Sequence, residues 1–391
     1  MLIAVLGGAG LVGSAVVDDL VRSGVDEVVV ADLNIHAAQE VIEKYKRADT
    51  KVSAQFVDVN EHKSLVDVIS GADVVSSSIG PSYEYCNKVL EAAIEAKVNL
   101  VDLCDEFDAA EEAFKHDSQA KKAGITACIG CGASPGLSNI VAKYASSKMD
   151  RVESIQIAWA VSVRDTGGPA ANYHFFHSLS GNIPTFRKGK IKYIQAGSEK
   201  ERVKFPDPIG EVEVYSFGHP EPLTLPRFIE GVKNVSIKGA TLPIWLDEVY
   251  RGLSKSGLTS KQPINVKGIS IIPLDFAVSL TFSQYALPSE IKEMIDRDAP
   301  TTSAEKCIVT GERKGNPTRY TYDGLASFAK TTATSASVAA QMIATDKTTS
   351  KGVLPPEGCL DAVTFLKEFV KRKIEITETE EITRSLTEET I

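Results

Sequence analysis

The residues best equipped for chemistry stand at the start of the chain. In MLIAVLGGAGLVGSAVV, Gly8, Gly10 and Gly13 give the spacing G-x-G-x-x-G, and Gly7, Gly10 and Gly13 give G-x-x-G-x-x-G. Either spacing lets the backbone approach a pyrophosphate, which then rests on the amides and the positive end of the following helix. Asp32 follows close to the roughly 20-residue offset at which a carboxylate meets ribose hydroxyls. The pattern predicts a bound dinucleotide, with Gly8, Gly10, Leu11, Val12 and Gly13 at the pyrophosphate and Asp32 at the ribose. Because Leu33 and Asn34 follow Asp32 with no Arg beside it, NAD is expected and NADP is possible. Asp58 and Val59 are expected beside the adenine, and Ser78, Gly80 and Pro81 along the pyrophosphate or nicotinamide, since ligands sit at the carboxyl ends of such strands.

Groups able to move protons come next. Asp102 closes a short apolar run, and NYHFFH brings Tyr173, His174 and His177 together. Tyr144-Ala-Ser-Ser-Lys148 resembles the Tyr-x-x-x-Lys pair of extended short-chain reductases, in which Lys lowers the tyrosine pKa. Against that reading, Leu137, Ile140, Val141 and Tyr144 form an i, i+3, i+4, i+7 stripe that makes Tyr144 a packing residue. The fourth strand also carries SSSIGPS where those reductases carry Asn-Ala-Gly. Cys128-Ile-Gly-Cys131 has no second pair or His at zinc spacing and ends a strand, so two buried thiols and no metal are expected.

The elements that must hold these residues follow from periodicity. Apolar runs at 2–6, 27–32, 52–59, 72–80, 99–104 and 125–130 alternate with segments of helical spacing, which predicts a parallel, doubly wound sheet covered on both faces. One helix is expected around 108–122, and another starting at Ser134-Pro135, with Ser134 as N-cap. From 151 the pattern changes to longer alternating strands with few helices, including a hairpin over 304–322 turning at Gly315-Asn316. The expected architecture is α/β: a Rossmann-type domain over 1–130 and an inserted α+β substrate or dimerisation domain with a mostly antiparallel sheet over 131–330. A helical segment over 331–378 returns to the Rossmann side, and 379–391 read as a polar tail.

Composition sets the limits. A net charge of −9 with no basic stripe argues against nucleic acid. No apolar run reaches the roughly 18 to 20 residues of a membrane span, and the first thirteen residues lack the Lys or Arg of a signal peptide. Six scattered cysteines suit a reducing compartment, so a cytoplasmic protein is expected, as a homodimer.

Four stretches carry a wider likeness: VLGGAGLVG, VLEAAIEAKVNLVDLCDE at 89–106, GCGASPGLSNIVA at 130–142, and TTATSASVAAQMIA followed by GVLPPEGC at 331–359. On these the chain resembles the saccharopine dehydrogenase family, which includes saccharopine reductases, lysine 6-dehydrogenases and carboxynorspermidine-type dehydrogenases. The resemblance implies hydride transfer between nicotinamide and the carbon of a C–N bond in an amino acid or polyamine-like amine. Such chemistry needs a proton acceptor, for which Asp102 is the first candidate, Asp105 and Glu106 are neighbours able to serve, and His174 is a possible base. Arg164 and Arg227 are candidate carboxylate clamps, with Tyr173, Ser134 and Asn139 as further substrate contacts. Residues 218–245 lack the Thr-Leu-Arg-Tyr-Pro-Gly run of lysine 6-dehydrogenases. A dinucleotide-binding protein without turnover is the reading from another class.

Overall fold

A computed structural model describes residues 1–165, 168–282, 288–348 and 350–384. The expected six strands form at the N-terminus: β1 (Leu2–Leu6), β2 (Glu27–Asp32), β3 (Lys51–Phe56), β4 (Val74–Ser77), β5 (Asn99–Asp102) and β6 (Thr126–Ile129). They pair in parallel in the order β6-β5-β4-β1-β2-β3. Strand order reverses between β1 and β4, which opens a crevice at their carboxyl ends where a dinucleotide binds. Ile3, Val5, Val74, Val101 and Cys128 are buried on one side of the sheet, and Ala4, Leu6, Val75, Leu100 and Ala127 on the other. Burial on both faces is why these strands read as unbroken apolar runs.

The second unit is built on β7 (Arg151–Ser162), β8 (Asn182–Arg187), β9 (Lys190–Gln195), β10 (Glu201–Lys204), β11 (Glu211–Ser216) and β12 (Asn234–Leu242). After a separate small hairpin, β13 (Ile264–Val266) and β14 (Ile269–Ile271), it continues with β15 (Ser303–Arg313) and β16 (Asn316–Ala326). Its pairs are antiparallel apart from β12 and β7, which run parallel, so the sheet is mixed. The hairpin at Gly315 forms as the sequence predicts, Gly315 taking a φ of +74°.

Three expectations are corrected. The helix predicted around 108–122 is two, Phe107–Phe114 and Asp117–Ala123, because the chain turns at Lys115 and His116. The helix predicted from Ser134 begins at Leu137, and Asn139 caps it by accepting a hydrogen bond from the Gly136 amide at 3.0 Å. Gly136 is required there: its φ is +128°, and a Cβ would lie 2.0 Å from the Gly132 carbonyl oxygen. The tail expected from 379 is in part a strand, since β17 (Gly352–Leu354) is followed by β18 (Ile376–Ile382), which pairs with β16. Exposed Glu and Thr alternate along β18 because it is an edge strand, and its acids meet Lys148, Arg313 and Arg319 across that edge. Residues 385–391 lie outside the described residues.

The C-terminal part closes the first sheet. Helix Phe328–Ala344 lays Ala333, Ala336, Ala339 and Ala340, all buried, against helix Leu11–Arg22 and the β4 and β5 strands. Small side chains let these backbones approach closely. β17 then joins β6 as a seventh parallel strand. Asp165 ties the units together: its carboxylate accepts hydrogen bonds from the Ser303 and Ser327 hydroxyls and the Phe328 amide, capping the helix that returns to the first sheet.

Candidate active site

A cleft of about 600 Å³ runs from the β1–β4 crevice to the second sheet. Gly7, Gly10, Leu11, Val12 and Gly13 line its first part, with Asp32, Asp58, Val59, Ser78, Gly80 and Pro81 around them. Gly8, expected in this set, does not line it. It packs behind the loop, where a Cβ would meet Val30 Cγ1 and the Val5 carbonyl at 2.9 Å, and Gly7, with φ +68°, takes the cleft position. The loop therefore uses the Gly7, Gly10 and Gly13 register. Asp32 fixes it from outside: one carboxylate oxygen accepts from the Ala9 amide at 3.0 Å and the other from Asn34 at 2.9 Å.

A dinucleotide fits this cradle on one steric ground. A Cβ on Gly13 would stand 2.1 Å from the Gly7 carbonyl oxygen, so the turn folds back onto its own helix as a pyrophosphate site requires. Gly80 is close-packed too, for a Cβ there would stand 2.9 Å from Ala170 of the second unit.

The far end is built from other residues. β5 ends on Asp102, which is 1% exposed and is not among the residues that line the cleft. It accepts the Cys104 amide at 2.9 Å, and burial pushes its pKa up to about 6 against hydrogen bonds from Cys104, Ser77 and Cys86. Asp105 and Glu106, just beyond the strand, reach the cleft instead. His174, on helix Pro169–Ser178, brings Nδ1 within 3.1 Å of Asp105 and 3.4 Å of Glu106. Desolvation works against the imidazolium, but the two carboxylates outweigh it and hold His174 up to about 10. The expected neutral base is thus a cation at pH 7. Desolvation opposes the charge on Asp105 as well, yet His174 and then His219 keep its pKa below the usual carboxylate range.

Side-chain polar atoms of Asp105, Glu106 and His174 lie within 4.8 Å of one another, and the single imidazolium offsets one of the two acidic charges. Rings complete this end. Trp159 of β7 lies across Gly239 of β12, where a Cβ would be 2.3 Å from the indole, and meets Phe217 edge-on at 4.7 Å between centroids. His219, Phe175 and Tyr250 stand nearby on the cleft wall. Sequence reasoning did not find Trp159, Phe217 or His219: Trp159 shows only the inward phase of β7, and Phe217 and His219 follow the end of β11.

The other expected contacts fall elsewhere. Arg164 bonds the Asp296 carbonyl and stands 3.6 Å from its carboxylate, while the Arg227 guanidinium stacks 4.7 Å from the Phe114 ring; neither lines the cleft. Tyr173 packs with Leu246 and Tyr250 beside the cleft, its pKa raised by burial and Asp275. Ser134 does line it, donating to Glu221 at 2.6 Å. Asn139 is fully buried and braces Thr224 at 3.2 Å and Glu357 at 3.0 Å. Cys128 and Cys131 are buried free thiols. Tyr144 packs against Tyr322 at 6.3 Å with the Lys148 ammonium 4.1 Å from its ring, outside the cleft. Tyr144→Phe should therefore leave turnover within about twofold of the parent, as surface-like ring changes do, whereas a short-chain-reductase mechanism would be abolished by it.

Several acids here are raised by burial: Asp102 to about 6, Glu357 to about 7, and Glu305 well above the usual carboxylate range. Each binds its proton more tightly in the folded chain, so its favourable contribution is complete below the unfolded carboxylate value near 4 and is lost as pH rises through the folded one. His174 continues the trend, its contribution draining between its unfolded value near 6.5 and about 10. Calorimetry should find Tm falling by several degrees from pH 5 toward pH 9. A Tm that rises over this range would show that these acids are not buried as described.

The glycine cradle, the Rossmann strand order and a cleft closed by a second mixed sheet define a dinucleotide-binding α/β protein. Residues 3–128 match the family described as Saccharopine dehydrogenase NADP binding domain, and residues 132–374 its C-terminal domain. The chain belongs to the saccharopine dehydrogenase family of NAD(P)-binding oxidoreductases. It is similar to carboxynorspermidine synthase of Vibrio cholerae serotype O1, 27% identical over 296 residues, covering 68% of this chain and 69% of that protein. The Vibrio alginolyticus enzyme of the same name is 26% identical over 247 residues, 57% of this chain and 59% of its own length, so less than two thirds of that relative is spanned. Among solved structures, the apo saccharopine dehydrogenase (L-Glu forming) of Saccharomyces cerevisiae superposes with a TM-score of 0.67 over 97% of this chain and 99% of that chain, at 18% identity, a likeness of fold. Among the described residues no helix is long and apolar enough to cross a membrane.

Proposed function

We propose that the protein is a cytoplasmic NAD-dependent oxidoreductase acting on the C–N bond of a cationic amine, in either the oxidative or the imine-reducing direction. The observation that carries this reading is the charge of the cleft: Asp105, Glu106 and His174 sit among Trp159, Phe175, Phe217 and Tyr250, and no Lys or Arg is among the described lining residues. An amino-acid carboxylate finds no Lys or Arg here, and the one cation, His174, is already held by Asp105 and Glu106, while an ammonium group finds carboxylates and π faces, the usual means of holding a cation. The curated relatives are named for carboxynorspermidine, a polyamine-type amine that also carries a carboxyl group, which supports the amine class.

When bound, the nicotinamide accepts or returns the hydride. Gly7, Gly10 and Gly13 seat the pyrophosphate, and Asp32 meets the ribose, where its charge opposes a 2′-phosphate and favours NAD over NADP. Asp105 and Glu106 draw the ammonium into the cleft, and the rings shield it from water. Oxidation releases one proton for each hydride transferred, and Asp105, the partly exposed acid of the pair, stands ready to receive it.

Formation of reduced cofactor should be followed with NAD and NADP against diamines, monoamines and α-amino acids. Expected are kcat/KM values about tenfold or more higher for NAD than NADP, and higher for diamines than for α-amino acids, consistent with one well-placed charge contact. Preference for α-amino acids would overturn the reading.

A further inference from the structure

We infer that His174, His219 and Glu221 form a proton relay leading from the amine end of the cleft into the protein interior, with Glu221 as its terminal acceptor. This rests on the amine-oxidising reading of the cleft and adds to it a route for the proton. The geometry is continuous. His174 Nε2 lies 3.1 Å from His219 Nε2, and His219 Nδ1 lies 3.4 Å from Glu221 Oε2. The other Glu221 oxygen accepts the Ser134 hydroxyl at 2.6 Å. His219 is 3% exposed and Glu221 fully buried, and neither His219 Nδ1 nor Glu221 Oε2 has a formed hydrogen bond, so each is the other's nearest polar contact at 3.4 Å. Two buried polar atoms facing each other without alternatives are satisfied only when one carries a proton toward the other.

The charges set the direction. At His174, Asp105 and Glu106 face Nδ1 and keep a proton there, so Nε2 also carries one and donates it to His219 Nε2. His219 is then the tautomer with its proton on Nδ1, directed at Glu221. Around Glu221 the titratable neighbours are Glu305, Glu357 and Cys307, all pushed up by burial with the Glu221 charge adding to the shift.

The step balances without oxidant or reductant. His174 gives its Nε2 proton to His219 Nε2 as the His219 Nδ1 proton passes to Glu221. His174 ends neutral, His219 has exchanged tautomer, and Glu221 is a carboxylic acid. One positive charge leaves the cleft and no bond to carbon changes. This matters because hydride departure from an amine leaves an iminium cation beside Asp105 and Glu106, where a standing imidazolium would oppose it. In imine reduction the same relay runs backward and restores the imidazolium.

The test uses the full-length protein. In Glu221→Gln the amide still accepts from Ser134 and His219 but cannot take a proton. With 1,3-diaminopropane and NAD, kcat should fall about 100-fold or more with KM within about threefold, the scale of a lost proton-transfer partner. The rising limb of the kcat–pH profile should move to higher pH, and Glu221→Asp should recover part of the loss. An unchanged kcat and profile in Glu221→Gln would overturn the relay. Independently of turnover, 15N spectra of labelled histidine in the free protein near pH 7.5 should show His174 protonated on both nitrogens and His219 on Nδ1 alone. A His219 proton on Nε2 overturns the relay even if amines are oxidised. These tautomers without turnover on any amine would instead overturn the functional reading.

Discussion

Gly13→Ala is expected to abolish dinucleotide binding, raising Kd at least about 100-fold, while Gly252→Ala leaves it unchanged. The added Cβ would lie 2.1 Å from the Gly7 carbonyl oxygen, 2.8 Å from the Gly7 carbonyl carbon and 2.9 Å from the Gly8 Cα. All three are backbone atoms, so no side chain can rotate aside. The strain is relieved only by moving the β1 turn away from helix Leu11–Arg22, the two parts whose contact shapes the cradle. Overpacking of this kind destabilises by about 1–3 kcal/mol, and displacing a phosphate loop by an ångström forfeits several amide contacts at once. Gly252 is the matched control, since it lies in helix Ile244–Lys255 and a methyl group added there would have no atom within 4 Å. Alanine there should stabilise the helix by about 0.5–1 kcal/mol. Trp159 lines the same cleft, so energy transfer from indole to reduced nicotinamide reports binding directly. A Gly13→Ala protein that binds NADH with the parent Kd would show that the cradle is not the cofactor site.

That steric test also shows why the cofactor half was legible in the sequence and its register was not. Glycine spacing after an apolar strand announces a tight turn onto a helix, and Asp32 answers at the end of the next strand. Gly7 and Gly8 are chemically identical, however, and only the fold shows that Gly7 takes positive φ in the cleft while Gly8 packs on Val30. The acid at the end of β5 was misplaced for a related reason. Asp102 and Asp105 differ by one short turn, and the side chain at the last strand position is buried and supports Cys104. His174 could be seen as a titratable group in an aromatic run. Its partners His219 and Glu221 lie some 45 residues on, after β11, and nothing in local periodicity joins them to it. β17 and β18 escaped notice because one has three residues and the other is a charged edge, and neither shows the apolar alternation by which strands are recognised.

Glu106→Gln should lower kcat/KM for amine substrates by about 100-fold or more without lowering Tm. Glu106 is fully buried, and neither carboxylate oxygen has a hydrogen-bond partner; His174 lies 3.4 Å away but is held more closely by Asp105 at 3.1 Å, and Lys261 acts on Glu106 without an ion pair. A buried carboxylate so placed is poorly compensated in the free protein, and such groups cost stability rather than add to it. An ammonium group entering the cleft provides the missing partner. Losing one member of a desolvated charge pair costs about 2–5 kcal/mol, which sets the expected fall in kcat/KM at about 100-fold. The neutral amide removes the charge while keeping the shape, so folding does not suffer and activity does. A residue whose role was to brace the fold would show the reverse pattern, with Tm falling and kcat/KM changing little. Melting curves and initial rates on the same preparation separate the two, and loss of Tm with retained kcat/KM would remove Glu106 from the amine site.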